Sequence, residues 1–250
     1  MDRQSQFCLW SGDFVNLCAS YPFGVTLLVP TNIYWRSFLP SISYPHTSQL
    51  KDLIAQRFQS HKPQFIALDN LRHAAVLILI LPDADGESSV LLTRRPVTLK
   101  RHSGQYALPG GRLETGESVT DAALRETHEE VGVSLTADAV MGQLDDYVTR
   151  SGFCISCLVA WSEFATGINP DPDEVAAVHH IPLWDLGSSK IPKLLPSENP
   201  DKPVMCAPLQ TLGHEVYTPT AAILYQFREV ALFGRSTRVS HFDQPKFAWK

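Results

Sequence analysis

The spacing of apolar residues changes period several times along the chain, and each change marks an element. TSQLKDLIAQRFQ opens at Thr47 or Ser48 as a cap and sets Leu50, Leu53, Ile54, Arg57 and Phe58 at helical spacing, which predicts an amphipathic helix. The runs LRHAAVLILILP and VLLTRR flank the turn DADGESS and predict a hairpin of buried strands. A Gly/Pro-punctuated loop from Leu99 to Gly111 leads into a second helix. Ser118 can cap it, Asp121 stands three residues on where a capping-box acid belongs, and Gly132 supplies the stop. Beyond it, QLDDYVTRSGFCISCLVAW predicts an antiparallel pair turning at Arg150 to Gly152, GINPDPDE a loop and VAAVHHIPL a strand. The stretch from Gly187 to Pro208 reads as a long Pro-rich loop. In the last helix Thr218 can cap, Pro219 suits the first helical position and Gly234 ends it. Strands mixed with two or three helices imply an α/β sandwich.

The second helix carries the clearest chemical signal. At about 100° per residue, Glu126, Glu129 and Glu130 fall within an arc of roughly 100°, and Ala123, Leu124, Thr127 and Val131 occupy the neighbouring arc. One face is acidic and the adjoining face is core. Like charges three and four residues apart destabilise a helix by a few tenths of a kcal/mol per pair. A hard divalent cation, Mg2+ or Mn2+, offsets that repulsion, because it takes carboxylate oxygens as ligands. A solvated surface face is the plainer reading of the glutamate pair alone.

Composition bounds the function classes. With 250 residues, 44% apolar and 10% aromatic, the chain can bury a full core as one domain. A formal charge of -5 and a pI near 6.0 argue against a nucleic-acid binder that relies on a general basic surface. Five cysteines, Cys8, Cys18, Cys154, Cys157 and Cys206, are odd in number and irregular in spacing, as reduced thiols are. Cys154 and Cys157 form a CxxC, but a second pair to complete a zinc site is missing, and on a strand they point to opposite faces. The longest apolar run, Ala74 to Leu81, is far short of the ~18 residues a membrane span needs. Asp2 and Asp13 interrupt any signal-peptide core and the ending FAWK is not a peroxisomal tripeptide, so the cytoplasm is the expected location. Residues 1–46 are expected to be an N-terminal extension of unknown role: a poorly ordered tail, a covering layer, or sequence upstream of the true start.

The whole stretch GRLETGESVTDAALRETHEEVGV fits G-x5-E-x7-R-E-U-x-E-E-x-G-U, with U a bulky apolar residue, and so resembles the signature box of the Nudix hydrolases. Gly111, Glu117, Arg125, Glu126, Glu129, Glu130, Gly132 and Val133 match, and Thr127 stands where an apolar residue is usual. The resemblance implies a Nudix fold over residues 47–250, a mixed β-sheet sandwiched between α-helices. It further implies Mg2+ or Mn2+ on Glu126, Glu129, Glu130 and the backbone carbonyl of Gly110. Arg125 would orient the glutamates, with Glu117 in support. The general base would be Glu129 or Glu130, or else Glu174 from a later loop that also carries Asp171 and Asp173.

The stretch before the box, LLTRRPVTLKRHSGQYALPGG, resembles the second motif of the coenzyme A diphosphatase branch. Leu91, Leu92, Thr93, Arg95, Leu99, His102, Gly104, Gln105 and Pro109 to Gly111 match; Pro96, Lys100 and Leu108 replace Ser, Arg and Phe. HEVYTPTAAILYQF, from His214, resembles a further segment of that branch, with Tyr217, Thr218 and Pro219 in place of Trp-Gly-Ala. The substrate expected from this resemblance is a small nucleotide, coenzyme A or an acyl derivative, with Arg95, Lys100, His102 and Gly104 as candidates for its phosphates. Nucleic acid and membrane are not expected as partners, and a homodimer is allowed. The alternatives are another nucleoside diphosphate derivative as substrate, or a Nudix-like ligand-binding module without turnover, whose expected mark is a broken box.

Overall fold

The computed structural model describes residues 42–98, 104–165 and 167–246. Lys100, His102 and residues 1–41 lie outside the described residues.

Thr47 caps α1 (Ser48–Ser60), its hydroxyl accepting from the amide of Leu50 at 3.3 Å. Ile54 and Phe58 bury one narrow stripe, while Leu53 turns outward and is 41% exposed. Neighbouring helical residues diverge by about 100°, so a helix resting on a sheet through Ile54 and Phe58 leaves Leu53 at the rim. The expected hairpin forms from β1 (Arg72–Pro82) and β2 (Ser88–Arg94), with Ile80 opposite Val90. The chain continues through β3 (Tyr106–Ala107), β4 (Gly110–Arg112), α2 (Val119–Val131), β5 (Val140–Gln143), β6 (Tyr147–Val148), β7 (Phe153–Trp161), β8 (Ala177–Pro182) and α3 (Leu183–Leu186).

β1 is the spine of a mixed sheet. It pairs in parallel with β7 over its length, antiparallel with β2 at one end and with β4 at the other. β3 and β8 both pair with β2. Alternation along these strands divides the core. Ile78, Ile80, Val90 and Leu92 face one side with α1 and α4 (Thr220–Phe227), whereas Ala75, Leu77, Leu79 and Leu91 face Ala122, Ala123 and Val131 of α2. Each fully buried Leu or Ile is worth about 2 kcal/mol, so β1, with four such residues in succession at Leu77 to Ile80, anchors both layers. The architecture is the expected sheet between helices. Cys154 and Cys157 are buried free thiols, and burial pushes both upward, Cys154 to about 11.

Three expectations are corrected. The stretch from Leu99 to Gly111 is not only a loop: β3 and the start of β4 lie in it, short strands held by pairing with β2 and β1. The stretch from Gly187 is not simply a loop: β9 (Lys193–Leu195), β10 (Val204–Leu209) and β11 (His214–Tyr217) form a separate antiparallel sheet. Pro203 and Pro208 disguised β10, because proline argues against a strand unless it occupies a strand start or an edge-type position. Thr218 does not cap α4 either. Its hydroxyl donates to the Met205 carbonyl at 2.7 Å, Pro219 occupies the cap position, and the helix continues as a π-turn over Arg228–Leu232 before Gly234 at φ 65°. No helix among the described residues is long and apolar enough to cross a membrane.

His61, just past α1, is buried with both ring nitrogens lacking a hydrogen-bond partner. Burial lowers its pKa below the usual 6.5; Asp145, 3.6 Å away, pulls it back up, and Arg238, which pairs with Asp145, lowers it. A depressed folded-state histidine pKa means stability that is complete above pH 6.5 and is lost as pH falls below it, because the unfolded state takes up the proton first. Urea midpoints at pH 7.5 and 5.5 should therefore converge in His61→Gln relative to the unaltered chain. An equal drop in both proteins would remove His61 from the acid response.

Candidate functional site

The acidic face lies on α2, which is capped at both ends. Ser118 accepts from the Asp121 amide at 3.1 Å and donates its hydroxyl to the Asp121 carboxylate at 2.6 Å, and Gly132 closes the helix in the left-handed region at φ 75°. Thr127 is fully buried, with its hydroxyl donating to the Ala123 carbonyl at 2.7 Å. A polar residue therefore serves on the core stripe because its one donor is satisfied inside the helix.

Arg125 organises the carboxylates. Its Nε and Nη2 grip Glu117 at 2.8 and 3.0 Å, and Nη1 reaches Glu126 at 3.0 Å and Glu129 at 2.8 Å. Nη2 also donates to the Arg112 carbonyl at 3.1 Å, tying the helix to β4. The paired guanidinium holds the Glu117 carboxyl below the usual range. Glu126 is raised, mainly by burial and then by repulsion from Glu129 and Glu174, against the pull of Arg125. Glu130 is buried at the far end of the face. Burial pushes it up to about 7, while the Gly110 amide, donating at 3.3 Å, and Arg95, 3.7 Å away, oppose that rise.

Two backbone approaches shape this cluster. Gly111 lies beneath the Glu126 carboxylate, so close that a Cβ there would sit 2.3 Å from it. Gly110 adopts φ 147° and crosses β1, where a Cβ would meet the Ala75 carbonyl oxygen at 2.3 Å. Glu174 arrives by a hydrogen-bonded loop: the Asn169 and Asp171 amides donate to the carbonyls of Val131 and Glu130, and the Glu174 amide donates to the Asp171 carbonyl. It thereby comes within electrostatic reach of Glu126 and Glu130. The structure thus brings together Glu126, Glu129, Glu130, Glu174, Arg125, Arg95 and Gly110. Gly104 lines a cavity beside β3.

Among the described residues, no three acidic, histidine or cysteine side chains form a ready metal-binding group. Arg125 stands between Glu126 and Glu129 as the balancing cation. The donor set nevertheless suits Mg2+ or Mn2+: hard oxygens, mutual repulsion that a cation relieves, and a Cβ-free cradle at Gly111. Glu126, Glu129 and Glu130 are the residues that would hold it. Arg95 has its Nε buried without a hydrogen-bond partner, a donor for which a bound group can supply the acceptor.

The mixed sheet lies between helices, one of which carries a guanidinium-braced row of carboxylates. The family model of the NUDIX domain matches residues 71–206, more than half of the chain. The chain belongs to the Nudix hydrolase family. Nudix hydrolase 3 of Caenorhabditis elegans is 33% identical over 141 residues, covering 55% of this chain and 58% of that one. An uncharacterized Nudix hydrolase NudL of Yersinia enterocolitica is 39% identical over 133 residues, covering 52% and 66%. Its namesake in Cronobacter sakazakii is 38% identical over 134 residues, covering 53% and 69%. The chain thus spans less than two thirds of the first two of these relatives.

Proposed function

We propose that the chain is a metal-dependent hydrolase of the diphosphate linkage in coenzyme A or acyl-coenzyme A, releasing 3',5'-ADP and (acyl)phosphopantetheine. The observation that supports the hydrolytic part is the bonding of Arg125 to Glu117, Glu126 and Glu129 at the acidic helix, with Glu130 of the same helix 3.7 Å from Arg95. Coenzyme A is favoured by the motif from Leu91 to Gly111, in which Arg95 and Gly104 match the branch.

A diphosphate repels water with its own negative oxygens, so hydrolysis needs positive charge and a positioned water. A divalent cation, when bound, supplies charge at those oxygens and acidifies water. Arg95, with its unmet Nε, offers donors to a phosphate, and Arg125, bonded to Glu117, Glu126 and Glu129, holds those carboxylates in place. Water adds through oxygen to one phosphorus, the bridging P–O bond breaks, and the proton passes to a carboxylate. Glu129 or Glu130 is the first choice for that carboxylate and Glu174 the second.

A side-by-side product assay with Mg2+ or Mn2+ and an EDTA control should release 3',5'-ADP from coenzyme A in preference to turnover of ADP-ribose, NADH, a diadenosine polyphosphate or 8-oxo-dGTP. Preference for another of these substrates would retain the chemistry and make Pro96, Lys100 and Leu108 marks of divergence from the coenzyme A branch. No turnover of any would favour a ligand-binding module.

A further inference from the structure

A cavity of about 820 Å3 lies on the sheet face away from α2, walled by β3, the β10–β11 hairpin and the start of α4. Its volume is in the range of small-molecule sites. Thr220 fixes one corner by donating its hydroxyl to the Tyr106 carbonyl at 3.3 Å. Tyr106, His214 and Tyr217 add aromatic surface to the lining.

The charges in the wall are unevenly spent. Asp185 accepts from the amides of Gln210 and Thr211 at 3.0 and 2.8 Å, and Glu215 is taken by Lys193 and by the Tyr217 hydroxyl at 2.8 Å. The two cations of the lining, Arg94 and Lys190, have no ion pair among the described residues. Arg94 and Lys190 are therefore cations without a carboxylate partner among the described residues, set beside aromatic surface. Arg94 and Arg95 are neighbours on an extended chain that still pairs with β3 through the bond from the Arg95 amide to the Gln105 carbonyl at 3.0 Å, so their side chains take opposite faces. Arg95 turns to Glu130 and Arg94 to the cavity.

We infer that this cavity holds the nucleoside half of the substrate, with Arg94 and Lys190 together reading a phosphate monoester carried on it, apart from the diphosphate being cut. The inference rests on the proposed reading of the site as a nucleotide diphosphatase, and makes Arg94 and Lys190 specificity residues rather than catalytic ones. It assigns a use to the second sheet, whose hairpin supplies one wall. A 3'-phosphorylated adenosine has the required chemistry: a dianion for the cations and a flat ring for the aromatic wall.

The test uses the full chain and the variants Arg94→Gln, Lys190→Gln and both together, all exposed positions. Calorimetric titration in EDTA with adenosine 3',5'-bisphosphate and with AMP should show a preference for the bisphosphate of about tenfold or more, the scale of one charge-assisted hydrogen bond. That preference should fall to about one in the double variant and survive in Arg94→Lys. Steady-state assays should show the same collapse in the KM ratio of 3'-dephospho-coenzyme A to coenzyme A. An unaltered preference in a double variant with an unchanged unfolding midpoint would overturn the inference while leaving the hydrolase reading intact. If coenzyme A is not hydrolysed at all, the reading of the substrate fails, and the EDTA titration still decides the cavity by itself.

Discussion

Glu130→Gln, assayed on the substrate that the product panel identifies, should lower kcat by about 10³-fold, with Glu129→Gln close behind, because each removes a carboxylate proposed to hold the cation or take the proton. Neither should unfold the protein. Glu129 is half-exposed on the helix face, and in Glu130→Gln the amide oxygen can still accept from the Gly110 amide that the native carboxylate meets at 3.3 Å. The fold is read from the unfolding midpoint, the chemistry from kcat. Near-normal turnover in both variants would sink the assignment of the acidic face. Glu174→Gln separates the candidates for the base: a fall in kcat comparable to that of Glu130→Gln, with cation affinity unchanged, moves the proton transfer to the later loop.

The second large effect is a contrast between adjacent glycines. In Gly111→Ala the new methyl falls 2.3 Å from the Glu126 carboxyl carbon, the end of a flexible side chain. The carboxylate swings aside at small cost to stability, but its displacement by about an ångström is enough to lower kcat by about 10²-fold. In Gly110→Ala the methyl instead meets backbone, the Ala75 oxygen at 2.3 Å and the Val76 Cα at 2.6 Å, at a φ of 147° that only glycine adopts readily. That variant should lose about 3 kcal/mol of stability by denaturant unfolding as β4 is pushed off β1. Stability loss at Gly111, or none at Gly110, would contradict the packing described for β4.

The pairing of Arg125 with Glu117, eight residues apart, shows why local spacing and tertiary structure contribute differently. The helix itself was legible: Ser118, Gly132 and the apolar stripe act within a few residues, and helical rotation puts Glu126, Glu129 and Glu130 on one face whatever surrounds them. The family's box could be read for the same reason, since it occupies a single loop and helix. Nothing local decides that Glu130 is buried against β4 while Glu129 faces solvent, because that depends on how α2 lies across the sheet.

The second sheet leaves little trace in the sequence because β9, β10 and β11 are short, and proline flanks β9 and falls within β10, so their alternation is weak. Arg94 likewise carries no signal in a chain where Arg95 is the motif residue. Sequence alone determined the acidic helix, the hairpin of β1 and β2 and the mixed character of the domain, since each rests on periodicity over adjacent residues. Tertiary structure alone decided the approach of Glu174, the burial of Glu130 and the cavity behind β3. Those depend on strand register, which sets the face each side chain takes, and on contacts between segments tens of residues apart.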